Sequence, residues 1–258
     1  VPLIASSIMS KKLAAGIDGL VLDIKTGTGA HMASADQARG LAKTMMSIGK
    51  AAGIQISAAI TRMDAPIGQA IGNALEIVEA IEVLQGSGPL KTRELTVCLG
   101  AEMLLLGGVA PTEAKARAAM AKALADGSGL ALFRKMIERQ GGDPRVCDEP
   151  AKVLPQAPAK MPVLARRDGY VTAIDSRALG SAAQLLGAGR QRYEDRINHA
   201  VGIMVDVSLG DLVCVGQPLA QLHYADRGLH AAASMLESAF KIGDEPPPAL
   251  PIIIDVLR

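Results

Sequence analysis

The sequence predicts an α/β fold with a largely parallel sheet and flanking helices, followed by a β-rich α+β domain. Apolar stretches typical of buried strands alternate with helical patterns in the first part of the chain. A segment with four prolines, Pro150–Pro162, ends this part and predicts a linker. Beyond the linker, short alternating stretches typical of strands become frequent.

The first part of the chain predicts helix, strand, helix and strand in that order. Leu3–Ala14 is helix-like, and Gly19–Lys25 is a short apolar run bounded by glycines, which suits a buried strand. Ser34 is suited to cap a helix over residues 35–52, and Ile54–Ile60 predicts the next strand. This order favours a parallel βαβ unit.

Helical patterns then dominate residues 73–140, and later segments alternate between strands and helices. Glycine-rich turns interrupt the helical part near residues 86–89, 107–108 and 127–129. After the linker, the predicted elements are a strand at 169–174, a helix capped by Ser176 and ending near 186, hairpin-linked strands at 200–207 and 210–223, a helix at 229–242, and a final strand at 252–257.

Composition excludes several classes of partner. The chain has 258 residues, is 49% hydrophobic and carries a net charge of +1, so it can bury a core but offers no basic surface for nucleic acid or an anionic membrane. Aromatic residues make up 2% of the chain, and no apolar run reaches the ~18 residues that cross a bilayer. Its three cysteines lack CxxC spacing and predict reduced thiols in a cytoplasmic protein.

Ser7 and Lys11 are the most informative residues in the predicted first helix. They are four residues apart, so a hydroxyl and an ammonium group are neighbours on the helix surface. This pair suits an electron-rich heterocycle whose carbonyl groups gain negative charge during a reaction. The competing interpretation is a solvated Lys11–Lys12 pair beside a capping serine.

A glycine-rich loop follows the first predicted strand. Lys25–Ala30 contains two glycines but matches neither the Walker pattern nor GxGxxG, so turn geometry explains the glycines. The loop nevertheless lies at the carboxyl end of a parallel strand, where open α/β sheets bind ligands, and His31 follows it. Asp23 and Lys25 share one face of the strand, and a structural ion pair is slightly favoured over a site role. The four histidines are scattered without zinc-type spacing.

Ile67–Glu79 predicts a bent loop that runs into a helix. Its early carbonyl groups and an acidic side chain could converge on a hard cation, which prefers oxygen ligands. The alternative is that Glu76 and Glu79 only complement the dipole at the start of the helix. Farther along, Gly210–Leu219 resembles the hairpins of lipoyl- and biotinyl-type barrel sandwiches. It lacks the exposed lysine of those carriers, which argues against a carrier role.

Several segments in order along the chain resemble the thymidine phosphorylase and pyrimidine-nucleoside phosphorylase family. Their collinearity over nearly the whole sequence is more specific than any single motif. The matching segments are Ile4–Lys12, Val21–Ala30, Ala70–Glu76, Arg177–Gly180, Gly187–Arg190 and Gly210–Val213.

The resemblance implies reversible phosphorolysis of pyrimidine nucleosides, thymidine and possibly uridine among them, to free base and (deoxy)ribose 1-phosphate. Ser7 and Lys11 match residues that bind the pyrimidine, and Lys11 would also stabilise negative charge on the departing base. Ile4 and Ile8 would form an apolar wall under the base. His31 stands where the family often has phenylalanine, in the same pocket.

The resemblance also implies cofactors and partners. Phosphate is the co-substrate, no organic cofactor is expected, and the carbonyl groups of Ile67 and Ala70 with the carboxylate of Glu79 match a potassium site. The expected enzyme is a cytoplasmic homodimer of nucleoside salvage.

The resemblance divides the chain into three parts. Residues 1–14 would be the remnant of a small helical lobe, 15–155 the α/β domain, and 156–258 a barrel-sandwich-like α+β domain. Because the chain opens at Val1, directly in a motif-bearing helix, we expect it to be the C-terminal portion of a longer polypeptide. The family's phosphate loop and a base-binding arginine would then lie in the missing N-terminal part, which becomes a required partner.

Three alternatives remain at this point. A phosphoribosyltransferase of the anthranilate type shares the overall plan but needs diphosphate–metal ligands that these segments do not offer. An archaeal-type nucleoside-monophosphate phosphorylase would have an additional set of phosphate-binding residues in the region upstream of this chain. A non-catalytic scaffold with a degenerate site is the third, and the intact Ser7 and Lys11 argue against it.

Overall fold

A computed structural model describes all residues from Val1 to Arg258, which form two compact units. Unit 1 consists of residues 1–64, 91–123 and 251–258, and unit 2 of residues 65–90 and 124–250. Both units are therefore built from segments that are not consecutive in sequence. The three consecutive domains expected from the resemblance stay a prediction.

The helices and strands follow the predicted order closely. The helices are α1 Pro2–Ala14, α2 Ala35–Ala51, α3 Asn73–Leu84, α4 Leu90–Leu106, α5 Glu113–Ala125, α6 Ser128–Arg139, α7 Pro150–Val153, α8 Ser176–Leu186 and α9 Leu229–Ala239. The strands are β1 Gly19–Thr26, β2 Gln55–Arg62, β3 Ala70–Ile71, β4 Ala159–Leu164, β5 Gly169–Ile174, β6 Gly202–Val205, β7 Leu212–Val213, β8 Pro218–Tyr224, β9 Phe240–Gly243 and β10 Ile253–Leu257.

Unit 1 contains a three-stranded sheet in the order β1-β2-β10. β1 and β2 pair in parallel from Gly19 opposite Gln55 to Thr26 opposite Arg62, which confirms the predicted βαβ unit. β10 pairs with the other edge of β2 in the antiparallel direction. The sheet is therefore mixed, because the irregular segment before β10 provides no crossover helix for a parallel neighbour.

The core of unit 1 fixes the orientation of α1. Ala5 and Met9, one turn apart, are almost completely buried, and they belong to the same apolar cluster as residues of α2, β1 and β2. Burying a methionine side chain such as that of Met9 contributes about 1.5–3 kcal/mol. The opposite face of α1 is consequently held toward solvent.

Unit 2 is an α+β unit with two antiparallel sheets, in the orders β3-β6-β8-β4 and β7-β5-β9. Its main apolar core joins these strands to α8 and α9. The likeness to a barrel sandwich stays a prediction.

Four local predictions for unit 2 need correction. The helix predicted at 229–242 ends at Ala239, because residues 240–243 form β9 and pair with β5. The stretch 210–223 is not one strand of a hairpin, because β7 pairs with β5 of the other sheet while β8 pairs with β6. The cap of α8 is Asp175 rather than Ser176, since the Asp175 carboxylate accepts the N–H groups of Arg177 and Ala178. The predicted linker contains α7 and the start of β4.

None of the helices combines the length and the apolar character needed to cross a membrane.

Candidate active site

The exposed face of α1 presents the serine and lysine predicted from the sequence. Because Ala5 and Met9 point into the core, Ser7 and Lys11 are exposed. The Lys11 Nζ donates to Ser7 Oγ at 3.5 Å, the long end of a hydrogen bond. The two polar groups are therefore adjacent and open to a ligand.

Two half-buried isoleucines flank this pair on the same helix. Ile4 and Ile8 pack partly against the core of unit 1, and part of each side chain stays accessible. Ile4, Ser7, Ile8 and Lys11 follow the spacing of a single helical stripe. The stripe combines an apolar surface with one hydroxyl and one ammonium group.

The glycine loop at the carboxyl end of β1 is held by the residues that follow β2. The Met63 N–H donates to the Thr26 carbonyl at 2.7 Å, and the Gly29 N–H donates to the Met63 carbonyl at 2.9 Å. The Asp64 carboxylate accepts the Thr28 N–H at 3.1 Å. Gly27, with φ of 113°, lies so close that a Cβ there would be 2.3 Å from Asp64 Oδ1. This position therefore requires glycine.

His31 is exposed directly after this loop. Its neighbour Met32 is buried in the apolar cluster that also contains Ala5 and Met9. The N–H of Gly27 donates to the Met32 carbonyl at 3.0 Å, which fixes the return of the loop. The same core thus anchors the segment carrying His31 and the helix carrying Ser7 and Lys11.

Asp23 and Lys25 form the ion pair that the sequence favoured, with a third partner. The Lys25 Nζ lies 2.5 Å from Asp23 Oδ2 and 3.2 Å from Thr61 Oγ1. Thr61, which pairs with Lys25 across β1 and β2, donates its hydroxyl to Asp23 Oδ1 at 2.5 Å. With these partners, the cluster links the two parallel strands near their carboxyl ends.

The structure adds Thr61 and Asp64 to the residues recognised in the sequence. Both lie at or just after the carboxyl end of β2, the same sheet edge as the glycine loop. The rule that neighbouring parallel strands end at one edge could have identified them. The Walker and GxGxxG patterns describe one strand and the loop after it, so they could not indicate residues at the end of β2.

Comparisons with known proteins identify the family of this chain. Residues 1–130 match a model described as the a/b domain of a glycosyl transferase family, and residues 170–243 match the pyrimidine nucleoside phosphorylase C-terminal domain. The chain belongs to the pyrimidine-nucleoside phosphorylase family. The candidate residues of α1 and the glycine loop lie within the first match.

Three curated members of the pyrimidine-nucleoside phosphorylase family come from Staphylococcus aureus strains USA300, NCTC 8325 / PS 47 and COL. Each is named pyrimidine-nucleoside phosphorylase and is 44% identical to this chain over 244 residues. The match covers 95% of this chain and 56% of each relative. The chain thus spans about half the length of these relatives.

In unit 2 of this family member, Glu79 lies against the loop before α3. One carboxylate oxygen, Oε2, accepts the N–H groups of Gln69 and Ala70 at 2.6 and 2.9 Å. A Cβ at Gly68 would be 1.9 Å from the other oxygen, so only glycine allows this approach. Glu76 instead accepts the Gly72 N–H at 3.1 Å, next to the start of α3. The two acidic residues therefore have different roles.

The potassium site expected from the resemblance comprises the Ile67 and Ala70 carbonyl groups and the Glu79 carboxylate, which are all oxygen donors. The carboxylate is anchored next to the backbone that carries both carbonyl groups. No group of three or more His, Cys, Asp or Glu side chains gathers as a metal site.

A second polar cluster in unit 1 lies near the amino end of β2, at the end opposite to the glycine loop. Glu102 of α4, only 2% exposed, accepts the Ser57 hydroxyl at 2.6 Å and the Arg258 Nε at 2.9 Å. Hydrogen bonding to Arg258 lowers the pKa of Glu102; burial opposes this effect, and the bond from Ser57 adds to it. Arg258 also binds Glu113 at 2.8 Å. This cluster joins β2, α4 and the residue after β10, away from the glycine loop.

Proposed function

We propose that this chain carries the base-binding part of an enzyme that catalyses reversible phosphorolysis of pyrimidine nucleosides. Phosphate is the co-substrate, and the products are the free base and (deoxy)ribose 1-phosphate. The observation that carries the proposal is the adjacent hydroxyl and ammonium of Ser7 and Lys11 on the exposed face of α1. Membership of the family supports a nucleoside, rather than another heterocycle, as the proposed ligand of these residues.

Each residue of the stripe has a distinct role in this proposal. The Ser7 hydroxyl and the Lys11 ammonium bind the carbonyl and imide edge of the pyrimidine. Lys11 stabilises the negative charge that the base gains as its bond to the sugar breaks, which lowers the transition-state energy. Ile4 and Ile8 support the face of the ring, and His31 lines the same pocket.

The match to the pyrimidine nucleoside phosphorylase C-terminal domain favours phosphorolysis over phosphoribosyl transfer. We propose thymidine and uridine as the substrates to compare. The proposed enzyme is a cytoplasmic homodimer, and its further partner is a segment equivalent to the part of the relatives that this chain does not match.

The proposal is tested by measuring phosphate-dependent release of thymine from thymidine and of uracil from uridine. The chain is assayed alone and together with the remaining segment of a relative. Turnover that needs both components and phosphate supports the proposal, and the ratio of the two rates gives the base preference. Absence of turnover and of pyrimidine binding in a folded, complemented sample contradicts it.

Replacing Lys11 by alanine is expected to reduce kcat/KM of the complemented enzyme by about 100-fold or more, as for other lost transition-state donors. The matched control is Lys12→Ala, which removes an exposed lysine next to it in sequence. Steady-state phosphorolysis checks both variants, with circular dichroism to confirm folding. Equal losses in the two variants would show that Lys11 has no specific role.

We also propose a potassium site formed by the Ile67 and Ala70 carbonyl groups and the Glu79 carboxylate. Replacing Glu79 by glutamine removes the anionic ligand, so potassium should no longer stabilise the protein. The unmodified chain should melt about 3 °C higher in ~0.1 M potassium chloride than in choline chloride of equal ionic strength. Thermal unfolding in the two salts measures this difference.

The control for the potassium experiment is Glu82→Gln, which changes an exposed carboxylate on the same helix. This variant should keep the full potassium-dependent increase in melting temperature. If the melting temperature of Glu79→Gln is still higher in potassium chloride than in choline chloride, potassium acts at another site.

A further inference from the structure

Unit 1 contains a cavity of about 810 Å³ that none of the proposed catalytic residues lines. It lies between the C-terminal half of α2, the first residues of β2 and the C-terminal end of α4. Parallel β1 and β2 begin at this end, whereas the glycine loop follows their carboxyl ends. The cavity and the candidate active site are therefore at opposite edges of the sheet.

The walls of the cavity are mainly apolar. Met46, Ile54 and Ile56 contribute from α2 and the start of β2, and Leu105 and Leu106 contribute from α4. The volume falls within the range of about 300–1,000 Å³ that is usual for small-molecule sites. Such sites combine an apolar lining with a few polar groups that orient the ligand.

The polar groups of this cavity give it an excess of positive charge. Lys43, Ser47 and Lys50 lie on one face of α2, and neither lysine forms an ion pair. The carboxylate in the lining, Glu102, is already bound by Arg258. Positive charge is thus left at the rim.

Helix geometry explains one of the two lysines but not both. Lys50 is in the last turn of α2, where a cation complements the helix dipole. Lys43 lies two turns earlier, beyond the range of that effect. Lys43 is also exposed and forms no ion pair, so its ammonium group is available to an anionic ligand.

We propose that this cavity binds a small amphipathic anion. The apolar body lies against Ile54, Ile56 and the two leucines of α4, and the anionic head binds Lys43 or Lys50. A carboxylate and a phosphate head share this chemistry. The ligand binds apart from the residues proposed for pyrimidine recognition.

Isothermal titration calorimetry of the full chain with sodium decanoate and with decyl phosphate tests the proposal. We expect saturable binding at one site for at least one of them, and the tighter probe identifies the preferred head group. Decanol and decyltrimethylammonium have the same apolar body without negative charge. They should bind at least about tenfold more weakly, a difference of about 1.4 kcal/mol.

Two variants locate the binding site. The double variant Lys43→Gln/Lys50→Gln should weaken binding of the anion about tenfold or more. Its matched control, Lys91→Gln/Lys115→Gln, removes two exposed lysines outside the cavity and should bind normally. Ser47→Phe places a ring at the cavity wall from an exposed helical position and should abolish binding while the melting temperature is retained.

Several results would overturn the proposal. These are no saturable binding of either anion, equal affinity for decanol, or unchanged affinity in both the lysine double variant and Ser47→Phe. If the double variant fails to fold, the Ser47→Phe result decides the location by itself.

Discussion

Replacing Glu102 by glutamine is expected to lower the free energy of unfolding by roughly 3 kcal/mol, the lower end of the range for breaking a buried ion pair. Glu102 is 2% exposed and accepts hydrogen bonds from Ser57 and from both Nε and Nη2 of Arg258. A glutamine amide would direct N–H groups at one of these donors. We expect a loss at the lower end of the range for buried ion pairs because Arg258 is half exposed and keeps its bond to Glu113.

The effect of this substitution should depend on pH in a defined direction. Hydrogen bonding to Arg258 holds the pKa of Glu102 below its ordinary value of 4.5 in the folded state. The ionised carboxylate therefore stabilises the protein fully above pH 4.5, and this contribution is lost as the pH falls through the lower folded-state pKa. The difference in the free energy of unfolding between the unmodified chain and Glu102→Gln should become smaller as the pH falls.

Urea unfolding at neutral and acidic pH measures this prediction. Glu113→Gln is the matched control, because Glu113 binds the same arginine but is 44% exposed. Glu113 also pairs with Arg117, and each exposed ion pair contributes about 0.2–1 kcal/mol, so this variant should lose less stability than Glu102→Gln at neutral pH. Equal losses for the two glutamates would refute the assignment of the effect to burial.

Replacing Gly27 by alanine should cost roughly 2–3 kcal/mol of stability and displace the glycine loop. The backbone has φ of 113° there, and the added Cβ would be 2.3 Å from Asp64 Oδ1 and 2.7 Å from its Cγ. Moving Asp64 away would remove the acceptor of the Thr28 N–H. Urea unfolding measures the loss of stability.

The matched control for Gly27 is Gly53→Ala. Gly53 also has positive φ, at 76°, but an added Cβ meets no atom within 4 Å. This variant should lose only the strain of a left-handed alanine, about 1–2 kcal/mol. If Gly53→Ala is as destabilising as Gly27→Ala, the contact with Asp64 is not what restricts residue 27.

Most of the local structure could be predicted because short-range chemistry determines it. The glycine-bounded strand, the Ser34 cap and the helical breaks all depend on neighbours within a few residues. The exposure of Ser7 and Lys11 follows from the burial of Ala5 and Met9 on the other side of α1. Their role in binding a base stays a prediction.

What could not be predicted depends on residues far apart in sequence. Asp64 and Thr61 act on the first strand and its loop from the end of the second strand. Glu102 and Arg258 are separated by 156 positions, and neither has a local pattern that marks the other as its partner. β7 pairs with β5 in the second sheet of unit 2. A strand of two residues carries no local pattern that predicts its partner.

The return of the chain to β2 has a consequence for protein synthesis. The Arg62 side chain donates to the Pro251 carbonyl across 189 positions, immediately before β10 pairs with β2. A ribosome adding about 5–20 residues per second needs roughly 10–40 s to span that interval. Meanwhile the apolar β2 has an uncovered edge, which invites pairing with other nascent chains. β10 can cover that edge only after every segment of unit 2 has been translated.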